Sequence, residues 1–300
     1  MRAPVEKMVQ GLSPQTTPFL ARPFIDIRSP RDASSPSWMS PRQEHYANVL
    51  FAKPVTAHPV LVAQTIHKMP KHKFPQVAVV GKSNVGKSSL INALMYGKDG
   101  SRPTSSYSNQ SLAQQLHLPT VAPVSSNPGR TRHLFMFDLS DHLSLVDLPG
   151  YGFARVPREK QNDWAILIEE YLNKARSLHR VISLVEGPSG FERLDEKLWE
   201  MLLDKNRQFM VVVTKVDALK PAELHSLMLR LISALEGVKA EAESRKLRSD
   251  LVWPFIHAVS SRYKDGLQEL RSSLSALASD YRISRGRVTV TKGEVPERNL

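Results

Sequence analysis

Eight consecutive residues, Gly81-Lys82-Ser83-Asn84-Val85-Gly86-Lys87-Ser88, fit the spacing G-x4-G-K-[S/T]. Glycines at those positions let a backbone wrap a phosphate, so that successive N–H groups point at its oxygens. Lys87 has the reach for β- and γ-phosphates, and the Ser88 hydroxyl suits Mg²⁺. Ser89 continues into the helix whose positive end faces the same anion. A short Gly/Ser turn can arise by chance. Here an apolar run, Val77 to Val80, precedes it, and Leu90, Ile91 and Leu94 follow at helical spacing. Strand, turn and helix are the frame that the chemistry requires.

Three further motifs follow in order. Asp147-Leu148-Pro149-Gly150 ends an apolar strand; the carboxylate can hold Mg²⁺ through water and the glycine can offer its N–H to a γ-phosphate. Thr214-Lys215-Val216-Asp217 follows a second apolar strand. A carboxylate at Asp217 can accept both N1–H and N2–H of guanine, a donor pair that adenine lacks, and Lys215 can brace the loop. Val259-Ser260-Ser261 ends a third strand, where a backbone N–H can meet guanine O6. Each motif alone reads more readily as an ordinary turn. Their order, each at a strand end, is the specific signal. Gly129-Arg130-Thr131 precedes a hairpin, and a Thr there can complete a Mg²⁺ shell and release it, as a switch does.

These motifs have to be held by an α/β sheet. The pattern predicts six strands, at 77–80, 133–139, 143–147, 181–185, 209–213 and 251–259, with helices alternating between most of them. The strand at 133–139 is joined to the next by Ser140-Asp141-His142, so it runs antiparallel; the others are parallel in a doubly wound sheet. Residues 1–73 are rich in Pro and Ser and read as a long irregular extension. Residues 74–280 form the nucleotide-binding domain, with a Ser/Gln/Pro-rich insertion at 98–127, and 281–300 form a tail.

The chain has 300 residues, no cysteine and a net charge of +12. Thiolate metal sites, cysteine nucleophiles and disulfide scaffolds are therefore excluded. No apolar run is long enough to span a membrane. Residues 1–75 carry +6 and residues 281–300 carry +3, so the excess sits at the two ends. Basic ends suit RNA phosphates, or else a targeting segment and a solvated tail. The Arg-containing, acid-poor start is similar to an organelle transit peptide. Arg130, Arg132, Arg155 and Arg158 flank the two switch motifs and are candidate rRNA contacts.

Gly81 to Leu90 (GKSNVGKSSL), Pro128 to Thr131 (PGRT) and Asp147 to Ala154 (DLPGYGFA) together resemble the EngB (YihA/YsxC) family of ribosome-assembly GTPases over about 74–280. The resemblance implies a P-loop GTPase fold and a GTP/GDP cycle. It also implies Mg²⁺ held by Ser88 and Thr131 with Asp147 nearby, and a nucleotide surrounded by Gly81–Ser88, Gly129–His133, Asp147–Gly150, Thr214–Asp217 and Val259–Ser261. Arg132 and His133 enter the list in this way. Lys87, Thr131 and Gly150 would carry the hydrolytic step. The implied role is assembly of the large ribosomal subunit, with its precursor, rRNA, ribosomal proteins and other assembly factors as partners. A monomer is expected, in the mitochondrial matrix, or alternatively in a plastid or the cytoplasm.

Three departures stand out. Ser88 and Thr131 lie 43 positions apart, a longer span than the resemblance leads one to expect. Glu186-Gly187 stands where an Asp-containing turn is expected, with no role attached. The basic N-terminal extension is long. In addition, Tyr151 occupies the position after the glycine where a Ras-like enzyme has Gln, which predicts slow intrinsic turnover. Asn84 resembles a loop Asn that holds K⁺ in related GTPases, or it caps the loop. Two other readings compete: a non-catalytic GTP-dependent scaffold or RNA-binding module, and a regulatory GTPase of trafficking, which Glu297-Arg298-Asn299-Leu300 disfavours because it offers no cysteine for lipidation.

Overall fold

The computed structural model describes residues 22–30, 34–52, 55–61, 74–95, 105–107, 133–139, 141–151 and 158–284. Among them nine strands make one sheet: β1 Phe24–Asp26, β2 Val55–Leu61, β3 Gln76–Gly81, β4 Ser105–Tyr107, β5 His133–Leu139, β6 Leu143–Asp147, β7 Leu178–Glu186, β8 Phe209–Thr214 and β9 Val252–Ala258. The helices are α1 Pro41–Ala52, α2 Lys87–Met95, α3 Arg158–Lys174, α4 Arg193–Asp204, α5 Pro221–Ser244 and α6 Leu267–Ser284. The sheet order is β1-β9-β8-β7-β3-β6-β5-β2-β4.

The middle of the sheet, β9-β8-β7-β3-β6, is parallel throughout. All six residues of β3 and of β8 are buried, as expected for strands covered on both faces. Side chains alternate across the sheet. Ala78 and Val80 pack with Tyr171, Trp199 and Leu231 of α3, α4 and α5. Val77 and Val79 pack with Leu50, Leu90 and Leu270 of α1, α2 and α6. The doubly wound arrangement follows from that alternation, and all six strands expected from the sequence are present.

Two buried polar groups tie helices into this frame. Trp199 Nε1 donates to Ser183 Oγ at 2.9 Å, locking α4 to β7. Arg271 on α6 donates to the carbonyls of Leu94 (3.0 Å) and Ala93 (2.9 Å). Those carbonyls end α2, where the helix has no partners of its own. Arg271 thus fixes the helix that carries Lys87 and Ser88.

The expectation of an irregular segment before residue 74 is corrected. β1 pairs antiparallel with β9, and β2 pairs antiparallel with β5 and parallel with β4. The sheet therefore has two strands, β1 and β5, that run against the rest. The prolines mark element boundaries instead of preventing elements. Pro23 precedes β1, Pro36 precedes a 3₁₀ turn at Ser37–Met39, and Pro41 opens α1, where its missing N–H costs no hydrogen bond. Pro59 lies in β2 beyond the three residues paired with β4, where one neighbour suffices. Phe24, Trp38 and Phe255 form a small aromatic core that seats β1, with Phe24 and Trp38 centroids 4.9 Å apart. The segments 1–21 and 285–300, and most of the insertion at 98–127, lie outside the described residues.

Candidate nucleotide site

The site is assembled at the carboxyl ends of β3, β6, β8 and β9. β3 ends at Gly81, and the chain turns through Asn84 and Gly86 with φ of 63° and 98° before α2 begins. A left-handed backbone is easy for glycine at Gly86 and tolerable for Asn. Gly81 is required for another reason: a Cβ there would lie 2.9 Å from both Leu184 and Val85. Gly150 also lies close to the loop, since a Cβ would sit 3.3 Å from the Ser83 backbone.

Two backbone bonds dock the second motif on the first. Ser83 N–H donates to the Tyr151 carbonyl at 2.8 Å, and Tyr151 N–H donates to the Gly81 carbonyl at 3.3 Å. The Lys87 ammonium is paired with the Asp147 carboxylate, which is 2% exposed. Ser88 Oγ lies 3.5 Å from the other Asp147 oxygen. A lysine, a hydroxyl and a carboxylate therefore converge beside the loop. The hydroxyl and carboxylate are hard oxygen donors that suit Mg²⁺, so the residues present fit the ion that the motif implies.

The base side is a cavity of about 500 Å³, lined among others by Gly86, Ser89, Thr214, Lys215, Asp217 and Ser261. Thr214 Oγ1 donates to the Val85 carbonyl at 2.6 Å, joining the end of β8 to the phosphate loop. Lys215 has φ of 55°, and its Nζ reaches the Asn84 carbonyl at 2.7 Å. It thereby braces the loop, as its place in the motif led us to expect. Asp217 is exposed at the cavity wall.

Other expected residues have side chains that lie in the core or are engaged elsewhere. Val85 and Val259 are fully buried in the core, and Leu148 is buried on the opposite face. The Val259 carbonyl accepts the Val216 N–H at 3.4 Å. Ser260 is buried; its Oγ accepts the Tyr263 N–H at 3.1 Å and its N–H donates to the Asp265 carbonyl at 3.0 Å. Of that pair, Ser261 is the residue that lines the cavity. Pro149 is buried too. The Asn84 side chain caps no backbone N–H among the described residues, so the capping alternative lacks a bond. Gly129, Arg130, Thr131 and Arg132 lie outside the described residues, as does Arg155; His133 opens β5.

Three acids have roles that the sequence did not reveal: Glu186, to which no role was attached, Glu192 and Asp195. Glu186, at the end of β7, is 2.5 Å from Lys215 Nζ and accepts from Ser189 Oγ at 2.7 Å. Burial pushes its carboxyl up, but Lys215 and Ser189 outweigh burial and hold it below the ordinary value. Lys82 turns its side chain away from the loop to Glu192 (2.8 Å) and Asp195 (3.3 Å) at the start of α4. Asp195 also accepts the Glu192 N–H at 3.0 Å, which caps α4, and the Tyr151 hydroxyl at 3.2 Å. Burial above all, and then Asp195, push the Tyr151 phenol well above its usual range, so it stays neutral. Motif spacing cannot reveal these acids, because their partners come from distant strand ends. The one available signal was a Glu placed at the end of a buried apolar strand.

A phosphate loop on a strand–helix turn, a carboxylate at a neighbouring strand end and a base cavity beyond define a P-loop guanine-nucleotide protein. The model of a family described as "50S ribosome-binding GTPase" matches residues 76–215. The EngB GTP-binding protein of Rickettsia bellii is 37% identical over 213 residues, 71% of this chain and 84% of that protein. EngB of Gluconobacter oxydans is 35% identical over 216 residues, 72% of this chain and 81% of its own length. A crystal structure of an engB GTP-binding protein has 17% identity and a TM-score of 0.44, covering 68% of this chain and 99% of that one. The chain belongs to the EngB family of GTP-binding proteins, and it is accordingly a GTP-hydrolysing enzyme.

Proposed function

We propose that this protein cycles between GTP and GDP as an assembly factor for the large ribosomal subunit, in the mitochondrial matrix. The observation that carries the nucleotide part is the convergence of Lys87, Ser88 and Asp147 beside a glycine loop, with Asp217 at the wall of an adjoining cavity. The ribosomal part is supported by the family description and by the EngB relatives. The matrix location rests on the basic, acid-poor N-terminal sequence alone.

Phosphoryl transfer to water is catalysed mostly by positioning and charge neutralisation. The loop backbone and Lys87 hold the β- and γ-phosphates, and Asp217 selects guanine over adenine. Ser88 and Asp147, with Thr131 from the first switch, would hold Mg²⁺, which when bound neutralises phosphate charge. The Gly150 N–H would meet the γ-phosphate. Tyr151 does none of this work: its neutral hydroxyl is engaged with Asp195 and cannot orient water as an amide does. Unassisted turnover is therefore slow, and an outside group supplies the missing charge. K⁺ at Asn84 is one such group. Turnover measured in KCl and in NaCl decides the point: we expect faster hydrolysis in K⁺, and equal rates remove Asn84 from the mechanism.

The engagement of Tyr151 also favours a second reading, in which the GTP-bound form acts mainly as a scaffold on rRNA or ribosomal precursors and slow hydrolysis only ends that state. Arg130, Arg132, Arg155 and Arg158 would meet rRNA phosphates in either case. Gradient sedimentation of the tagged full chain from fractionated cells, with a non-hydrolysable GTP analogue and with GDP, tests the proposal. Migration with large-subunit precursors in the GTP form alone is the expected result, and the co-purified rRNA names the compartment. A protein that stays at the top in both states loses the ribosomal role. Particle-stimulated phosphate release separates the enzyme from the scaffold.

A further inference from the structure

The nucleotide cavity opens at the carboxyl ends of the parallel strands. A second cavity, of about 720 Å³, opens at their amino ends, against Leu178, Gln208 and Val252. The length of β8 puts it roughly 20 Å from the first. Its wall is strongly cationic: Arg28, Arg176, Arg180, Lys239 and Arg248, against Asp250 and Asp280. Arg248 is held by Asp250 at 2.5 Å, and Arg28 by Asp26 at 2.6 Å. Those pairs leave Arg176, Arg180 and Lys239 facing Asp280. Burial above all, and next the charge of Arg28, lower the Lys239 ammonium from its ordinary value.

Arg180 is the unusual member. It is 3% exposed, and its guanidinium lies 3.7 Å over the Trp253 ring. Its one hydrogen bond among the described residues runs from Nε to Gln208 Oε1 at 3.1 Å. Nη1 is buried with no partner among those residues, and so is Trp253 Nε1. No carboxylate of the described residues lies within ion-pair distance of Arg180. A guanidinium carries five N–H donors, and a buried charge with no counter-ion is costly to keep. Asp280 and Asp250 act on Arg180 only from beyond ion-pair distance, and its unspent donors can take an anion that the described residues do not supply.

We propose that this cavity is a second anion site, which takes a phosphate ester, with Arg180 at its base and Arg176 and Lys239 at its opening. A planar guanidinium matches two phosphate oxygens at once. The volume suits a ligand of nucleotide size, and the excess of cations disfavours a metal ion. The cavity shares no lining residue with the nucleotide cavity and lies at the opposite ends of the strands, so it is a separate site. The same chemistry is presented by the backbone of an RNA strand and by a free phosphate ester.

The test uses the full chain saturated with GDP and Mg²⁺, so that the first site is filled. Inorganic pyrophosphate and a short fluorescein-labelled RNA are titrated separately and in competition, with wild type and with the double variant Arg176→Ala/Lys239→Ala. We expect one pyrophosphate per chain, weakened at least tenfold in the variant, with GTP hydrolysis unchanged. Displacement of pyrophosphate by RNA, with RNA affinity also lost in the variant, identifies an RNA phosphate as the ligand. Pyrophosphate binding without that competition identifies a free phosphate ester. Arg180→Lys keeps the charge and removes the fork, and it weakens both probes if it folds; the surface variant decides the matter if it does not. Absence of saturable binding by either probe, or equal affinities in wild type and double variant, overturns the proposal.

Discussion

Lys87 and Asp147 form a buried pair whose separation is costly. Their charges are largely withdrawn from water, and each is the other's partner. Lys87→Ala removes the phosphate ligand and strands the carboxylate; breaking a buried pair from one side costs about 3 kcal/mol. We expect hydrolysis to fall by about 10²–10³-fold, the usual cost of removing one preorganised donor, together with a lower melting temperature. Single-turnover phosphate release and thermal denaturation measure the two effects; a variant with normal turnover would remove Lys87 from the mechanism. The phosphate-loop residues were legible in the sequence, because a single short segment supplies the strand end, the glycines, the lysine and the serine. Glu186, Glu192 and Asp195 were not legible, because each acts on a lysine from another segment and none belongs to a spaced motif. Lys82 shows the same limit: its motif position is right for backbone contact, while its side chain serves α4.

At the scale of elements, β1 is the part that sequence periodicity could not show. Three residues give no alternation to detect, and the strand exists because Phe24, Trp38 and Phe255 pack together across segments. The long parallel strands were legible for the opposite reason: continuous apolar runs ending in turn residues have few other solutions. The β1–β9 seam also contains a pH-sensitive group. His257 on β9 is fully buried, opposite Phe24 and 5.4 Å from Trp38, with neither ring nitrogen bonded among the described residues. Burial lowers its pKa from 6.5 to about 3. Between those values the unfolded chain binds a proton that the folded chain does not. Stability is therefore full above pH 6.5 and falls as pH drops, with a slope of up to about 1.4 kcal/mol per pH unit. His257→Phe should remove that slope between pH 5 and 6.5 in chemical denaturation. Identical slopes in the two proteins would show that His257 takes up its proton in the fold.

Over the whole molecule, the sheet separates two tasks. Its carboxyl edge carries the phosphate loop, the Asp147 carboxylate and the base cavity, and its amino edge carries the cationic cavity around Arg180. Ligand placement at the carboxyl edge is general for open α/β sheets, so that site could be located from strand order and motif order alone. The opposite site could not, because it depends on Arg28, Lys239 and Trp253 arriving from three separate elements. The carboxyl edge is where guanine nucleotide is selected and hydrolysed. The most direct test is phosphate release from GTP and from ATP in Mg²⁺, for wild type and for Asp217→Ala. The wild type should turn over GTP slowly and leave ATP untouched. The variant should lose preference for GTP by a factor of roughly ten or more, because a charge-assisted hydrogen bond contributes about 1.5–3 kcal/mol. Equal use of GTP and ATP by the wild type, or a variant that keeps full discrimination, would contradict the account.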